Sequence, residues 1–315
     1  MKNWSAGLAD ARTPVLIGPT GVGKTAVALA LASHWPVEVI SADSRQVYRG
    51  LDIATAKATR RERQRVPHHL IDLIAPGERY SAGRFAVDAA EAIAEIRARG
   101  RLPLVVGGTG LYLKALVEGL FKEPPLDRPR RDALFAVTSA MDNPTLVRWA
   151  SRLDPGLPAG SGRQRAARAI EIALLTGYSL RWWQRAVAME GVVNPWIVRL
   201  TVPRPVLHQR IRTRTEEMLR RGLLEEVAAA LADGAPPDGA GMDGIGVREA
   251  VAVLQGRLPR ELLVDLVATA TRQYAKRQET WFRHQLPGAM LTLDATRPPE
   301  QVAAAIASEW ERVTQ

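Results

Sequence analysis

Residues 18 to 25 read GPTGVGKT, a run whose residue types and spacing suit the binding of phosphate. Glycines at 18, 21 and 23 let backbone N–H groups turn inward around phosphate oxygens. A helix starting after them would present its positive end to the same oxygens. Lys24 supplies a cation, and the Thr25 hydroxyl can hold a magnesium ion that bridges phosphates. Gly18, Pro19, Thr20, Gly21, Val22, Gly23, Lys24 and Thr25 are therefore the candidate binding loop. Such a cradle serves the phosphates of ATP and any other pyrophosphate equally well.

Asp43 stands among Ser41, Ser44, Arg45 and Gln46. Its carboxylate could deprotonate or orient an attacking amine or hydroxyl, or it could cap a helix. Thr109, in VVGGTGLY, follows two glycines that allow a ligand to approach closely; it suits either an acceptor contact or a helix N-cap. Arg210 and Arg214, four apart, share a helix face, and one of them could neutralise charge growing on a departing pyrophosphate. The segment RQRAARAIE sets Arg165 and Arg168 close along one helix after Gln164, a pattern that fits an RNA backbone or ordinary surface charge. Arg272, Lys276, Arg277 and Arg283, interspersed with Tyr274, Trp281 and Phe282, offer either a stacking surface or a core-facing helix.

These residues need a scaffold. PVLIG (14 to 18), VEVISAD (37 to 43), LPLVVGG (102 to 108) and WIVRLTV (196 to 202) read as strands, each followed by a loop and then a helical pattern. That alternation predicts an α/β fold with a mostly parallel sheet flanked by helices. It delivers the loop at 18 to 25, Asp43 and Thr109 to the carboxyl ends of their strands, where ligands bind in open α/β sheets. After Gly119 the run KEPPLDRPRR breaks the pattern, and helical segments follow as far as Pro195. We expect a core of residues 1–119 and 196–315 with an all-helical insertion at 120–195. VLHQRIRTRTEEMLRRGLLEEVAAAL is expected as one long arginine-rich helix. One short strand and a terminal helix are expected at the end of the chain.

Forty-three Lys and Arg face 33 Asp and Glu, a formal charge of +10. Such an excess favours a polyanionic partner. The absence of cysteine excludes disulfides, thiolate catalysis and cysteine zinc sites, and the five histidines lack zinc-ligand spacing. No leader or membrane-length apolar run is visible, so a cytoplasmic protein with no membrane partner is expected.

Taken in order, GPTGVGKT, ADSRQVYRGLDIATAK, VPHHLIDLIAPGERYSAGRFAVDA, LPLVVGGTGLYLKAL, RQRAARAIEIALLTG, DGIGVREAVAVLQG and ATRQYAKRQETWFR resemble the bacterial tRNA dimethylallyltransferase family from about residue 14 to residue 285. The resemblance implies a P-loop NTPase-like core whose helical insertion grips the tRNA anticodon stem-loop. It implies transfer of a dimethylallyl group from dimethylallyl pyrophosphate, with Mg2+, to N6 of adenosine 37 in tRNAs that read codons starting with U. By motif match it makes Asp43 the general base, Thr109 a contact to the adenine and Arg214 a partner of the pyrophosphate. Thr20, Lys24 and Thr25 become phosphate and magnesium contacts. Asp43, Ser44, Arg45, Gln46, Thr109, Arg131, Gln164, Arg165, Ala166, Ala167 and Arg168 become the tRNA-contacting set, and a monomer is implied.

The chain departs from the family pattern at Ser161-Gly162, at Val247 after Ile245-Gly246, and at Ala54 and Ala58 of IATAKA. None of these replaces a proposed catalytic side chain. An ATP-using kinase remains chemically compatible with the loop, and a non-catalytic RNA binder with the arginines.

Overall fold

The computed structural model describes residues 12–121, 124–158, 160–187, 190–286 and 290–314. The first eleven residues, which carry most of the amino-terminal stretch read for a leader, lie outside the described residues. The chain divides into two compact units, Met1–Val117 with Val192–Gln315, and Glu118–Gly191.

In the larger unit the apolar runs form β1 (Arg12–Ile17), β2 (Val37–Ala42), β3 (His68–His69), β4 (Leu102–Gly107), β5 (Asn194–Thr201) and β6 (Met290–Asp294). They build one sheet in the order β3-β2-β4-β1-β5-β6, with every neighbouring pair parallel. Every residue of β2 and β4 is buried, as expected of parallel strands covered on both faces. β5 begins at Asn194, slightly before the expected start, and β3, only two residues long, carried too little pattern to be anticipated.

The helices of this unit are α1 (Lys24–Leu31), α2 (Arg60–Arg65), α3 (Ala82–Ala98) and α4 (Gly110–Val117), followed after β5 by α9 (Arg204–Arg220), α10 (Leu223–Ala232), α11 (Val247–Leu254), α12 (Leu263–Gln285) and α13 (Pro299–Thr314). One apolar cluster joins α1 and α13 to the sheet through Leu16, Val27, Leu31, Val39, Leu104 and Trp310. α9 packs on α12 through Leu207, Ile211, Ala268 and Ala275, which brings one face of each helix to the phosphate loop.

The single long helix expected at 206–231 is two. Gly222, at φ 98°, breaks it between α9 and α10, a left-handed conformation that costs glycine little and other residues more. The break turns α10 so that the Glu226 carboxylate accepts the N–H groups of Asp52, Ile53 and Ala54 at 2.8, 2.7 and 2.8 Å. The segment downstream of Asp43 is fixed further by Lys57, whose buried ammonium donates to the Tyr48 carbonyl at 2.6 Å and to the carboxylates of Asp52 and Asp72 at 2.7 and 2.5 Å.

The smaller unit holds α5 (Arg128–Ala140), α6 (Asn143–Leu153), α7 (Arg163–Thr176) and α8 (Leu180–Ala186). Asp127, Asp142 and Ser179 cap α5, α6 and α8 by accepting the N–H of the third residue on, and Gly177 ends α7 in the left-handed region. Leu146, Ala150, Ala166, Ala169, Ile170, Ile172 and Leu180 make its core. Arg163 closes the carboxyl end of α5 by donating to the carbonyls of Thr138, Ser139 and Met141 at 2.6, 2.8 and 2.7 Å.

Candidate active site

β1, β4 and β2 end side by side, and their carboxyl ends release the phosphate loop, the Gly107–Gly108 turn and Asp43 at one edge of the sheet. In the loop Gly23 is left-handed at φ 107° and leads directly into α1. Lys24 folds back over the loop, its ammonium donating to the carbonyls of Gly18 and Pro19 at 2.7 and 3.1 Å. Burial lowers its pKa to about 8, with Asp43 working in the opposite direction and Arg214 adding to the fall. Arg214 donates to the Thr20 hydroxyl at 2.7 Å, and burial also lowers its pKa while Asp43 opposes that shift. Both cations thus stand in partial desolvation, where an arriving polyanion interacts with them strongly.

Sequence spacing left open which of the two α9 arginines faces the phosphates, and the geometry separates them. Arg210 donates to the carbonyls of Val22 and Ala295 at 2.9 Å each, so its fork ties the phosphate loop to the end of β6. Arg214 ends on a hydroxyl of the phosphate loop. Both border a cavity of about 590 Å³ that Val22, Val27, Ala295 and Pro299 also line.

Asp43 accepts the N–H of Arg45 at 2.9 Å, which pins the turn after β2. Thr109 starts α4 with its carbonyl, which accepts from Tyr112 and Leu113 at 3.0 and 3.1 Å. Its hydroxyl is used elsewhere: it accepts the N–H of Ser44 at 3.0 Å and lies 3.4 Å from the Ser44 hydroxyl. The threonine therefore acts as a backbone cap and also joins the turns after β2 and β4 beside Asp43. Tyr274 of α12 is coupled to the same place. Burial, and then the negative charge of Asp43, push its phenol up to about 12, while a hydrogen bond with Thr109 acts against them.

Gln46 is occupied within the turn, its oxygen accepting from Ser41 at 2.8 Å and its nitrogen donating to the Thr55 and Ala56 carbonyls at 3.4 Å. Arg45 reaches the Ala240 carbonyl at 2.9 Å and the Asp243 carboxylate. The aromatic residues of α12 divide: Phe282 is fully buried, so it belongs to the core and not to a stacking surface, and Trp281 lies against Gly110.

A small cavity of about 50 Å³ is lined by Lys24, Thr25, Ser41, Asp43, Gln46 and His68. Among the described residues no three His, Cys, Asp or Glu side chains gather into a metal cluster. Magnesium binds through one or two protein oxygens and otherwise through phosphates and water. The Thr25 hydroxyl, in a space of this size beside the phosphate loop, fits that manner of binding.

In the helical unit Gln164 and Arg165 are exposed on α7, Ala167 and Arg168 are half-buried, and Ala166 is fully buried in the core. Ala166 accordingly presents no side chain to a ligand. Arg131 and Arg168 both pair with the Glu171 carboxylate.

Sequence reasoning did not single out Gln278. It is buried at 6% exposure, accepts the N–H of Thr20 at 2.9 Å and donates to the Gly108 carbonyl at 2.8 Å. Its position four residues before the fully buried Phe282 was the available signal that it faces inward.

A parallel sheet with a glycine-rich strand-to-helix loop, a lysine folded over that loop and an arginine on its threonine defines a P-loop α/β protein built to bind phosphate. Comparison with known families gives the particular one. A model described as IPP transferase matches residues 46–285, and one described as isopentenyl transferase matches residues 12–72; the chain belongs to the IPP transferase family.

Relatives agree along most of its length. The tRNA dimethylallyltransferase of Thermomicrobium roseum is 44% identical over 282 residues, covering 86% of this chain and 84% of that protein. That of Halorhodospira halophila is 44% identical over 293 residues, covering 89% and 93%. Among solved structures, a full-length tRNA isopentenylpyrophosphate transferase from Bacillus halodurans is similar at 35% identity with a TM-score of 0.69, covering 96% of this chain and 98% of that one. A eukaryotic dimethylallyltransferase acting on tRNA is similar at 28% identity with a TM-score of 0.76, covering 96% and 79%. No helix among the described residues is long and apolar enough to cross a membrane.

Proposed function

We propose that this chain is a tRNA dimethylallyltransferase that moves the dimethylallyl group of dimethylallyl pyrophosphate onto N6 of an adenosine in tRNA, releasing pyrophosphate. The adenosine is that at position 37, in tRNAs that read codons starting with U. The observation that carries the reading is the meeting, at one sheet edge, of a cationic phosphate loop with an acid and a threonine tied to each other through Ser44.

Each part has a task in that reaction. The phosphate loop, Lys24 and Arg214 bind the pyrophosphate and offset the negative charge that grows on it as the allylic C–O bond breaks. Arginine suits the task because its planar fork meets two oxygens at once. Asp43 accepts the proton that the N6 amine loses as it attacks the allylic carbon, and the Thr109 hydroxyl orients the adenine beside it. Thr25 would hold the magnesium ion, which would supply further charge neutralisation on the pyrophosphate when bound. No hydrolytic water takes part. The base must leave its stack for its amine to reach a buried carbon. Arg131, Gln164, Arg165 and Arg168 of the helical unit, with Ser44, Arg45 and Gln46, contact the anticodon stem-loop. The enzyme works as a cytoplasmic monomer.

The test is to incubate the protein, Mg2+ and dimethylallyl pyrophosphate, without ATP, with an unmodified tRNA bearing adenosine at position 37, and to weigh the nucleosides after digestion. The expected result is a dimethylallyl increment on that adenosine. Absence of the increment with a folded, tRNA-binding sample, or an absolute requirement for ATP, contradicts the reading.

A further inference from the structure

We propose that Gln278 is a positioning residue that sets the spacing between the leaving-group side and the amine side of the site. The inference rests on the site reading given above.

Two loops must be held in register for the transfer. One binds the pyrophosphate, and the other carries Thr109 next to Asp43. Both come from the sheet, but by different strands, and a single side-chain amide spans them. Gln278 Oε1 accepts the N–H of Thr20, and Nε2 donates to the Gly108 carbonyl. Only this orientation of the amide satisfies both loops, because one offers a donor and the other an acceptor. The contact is close enough to specify the loop sequence: a Cβ added at Gly108 would lie 2.3 Å from Gln278 Nε2. One turn along α12 the Trp281 ring covers Gly110, where an added Cβ would come within 2.5 Å of it. The same helix therefore bears on the glycines either side of Thr109.

Each end of the amide continues into a reacting group. Thr20 holds Arg214 through its hydroxyl at 2.7 Å. Gly108 precedes Thr109, whose N–H donates to the Ala42 carbonyl at 3.2 Å and whose hydroxyl accepts from Ser44. Ala275 and Phe282, both buried on the same helix, anchor the stretch from which Gln278 projects. A displacement of about 1 Å between reacting groups costs on the order of 10²-fold in rate, so a link of this kind acts on turnover more than on binding.

The experiment compares Gln278→Met, Gln278→Glu and Asp43→Ala with the parent in steady-state transfer from dimethylallyl pyrophosphate to tRNA. Methionine fills a similar volume but leaves the Thr20 N–H and the Gly108 carbonyl without their partner. It is expected to lower kcat by about 10- to 100-fold while KM for dimethylallyl pyrophosphate and Kd for tRNA stay within about threefold. Glutamate retains the acceptor for Thr20 but can donate to Gly108 only when protonated. Burial against the Gly108 carbonyl favours the protonated form and the Thr20 N–H the ionised form, and lowering the pH adds to the protonated one in either case. The ratio of its kcat to the parent's is therefore expected to rise as pH is lowered from about 8.5 to about 6, whereas the methionine ratio stays flat.

A methionine variant with kcat within about twofold of the parent, or a glutamate ratio that does not change with pH, overturns the proposal. If the methionine protein does not fold, the glutamate ratio decides alone. Loss of turnover in Asp43→Ala alongside an unaffected Gln278→Met would leave the site reading standing and remove only the link. Retained turnover in Asp43→Ala would remove the reading on which the link depends.

Discussion

Arg210 and Arg214 of α9 end on two backbone carbonyls and a threonine hydroxyl beside the phosphate loop, whereas Arg131 and Arg168 of the helical unit share the Glu171 carboxylate. The first pair is oriented by neutral partners, and among the described residues neither side chain makes an ion pair at contact range, although Asp43 acts on Arg214 from further away. The second pair is held by a counter-charge. Near a reacting pyrophosphate the placement of charge determines rate. Against an RNA backbone a mobile, solvated charge contributes through counterion release, and small displacements matter little. On the proposed reading, the larger unit relies on the placement of Arg210 and Arg214, whereas in the helical unit Arg131 and Arg168 share one carboxylate and the exposed Arg165 offers the more solvated charge.

The largest expected effect falls on the first region. Arg214→Ala should lower kcat/KM for dimethylallyl pyrophosphate by about 10²- to 10³-fold and leave tRNA affinity near the parent value; steady-state kinetics with a filter-binding measurement of tRNA decides. If affinity fell as much as turnover, the contrast between the regions would disappear.

Lys24 gives a pH test of intermediate size. With its pKa lowered to about 8, the lysine is a cation below that pH and loses its charge above it. Affinity for the pyrophosphate substrate should therefore weaken by about tenfold per pH unit above 8, until the pKa of the complex is reached. The profile of KM against pH reads this, and Lys24→Arg should flatten it. Because the folded value lies below the unfolded one, Lys24 disfavours folding at pH below about 8, and that penalty fades as pH rises towards 10.5.

The smallest effect is expected in the helical unit. Arg165→Ala should weaken tRNA binding a few-fold, reduce the salt slope of binding by about 1 and leave kcat at saturating tRNA unchanged. A fall in kcat with an unchanged salt slope would mean that this arginine acts on the chemistry.

The strands at 37–42 and 102–107 were legible because strands buried on both faces are mostly apolar runs, with Glu38 and Ser41 the polar exceptions in the first. The phosphate loop was legible because its glycines and lysine have few substitutes. Other features are long-range. The break at Gly222 was masked by a pattern that stays helical on both sides. The hold of Glu226 on residues 52–54, and of Lys57 on Asp52 and Asp72, pairs groups whose spacing in sequence carries no period. Gln278 was hidden for the same reason: its partners lie 258 and 170 positions away, and nothing local on α12 announces them. Arg210 and Arg214 are equivalent by spacing; the family resemblance pointed to Arg214, and the structure adds that Arg210 is occupied by the carbonyls of Val22 and Ala295.

The central claim is that the Asp43 carboxylate does chemistry at this edge of the sheet and is dispensable for RNA binding. Single-turnover transfer by Asp43→Ala, on a sample whose tRNA affinity is measured in parallel, tests it most directly. A rate reduced by about 10²-fold or more with tRNA binding nearly intact is the predicted result. A folded Asp43→Ala protein that transfers at the parent rate would contradict it.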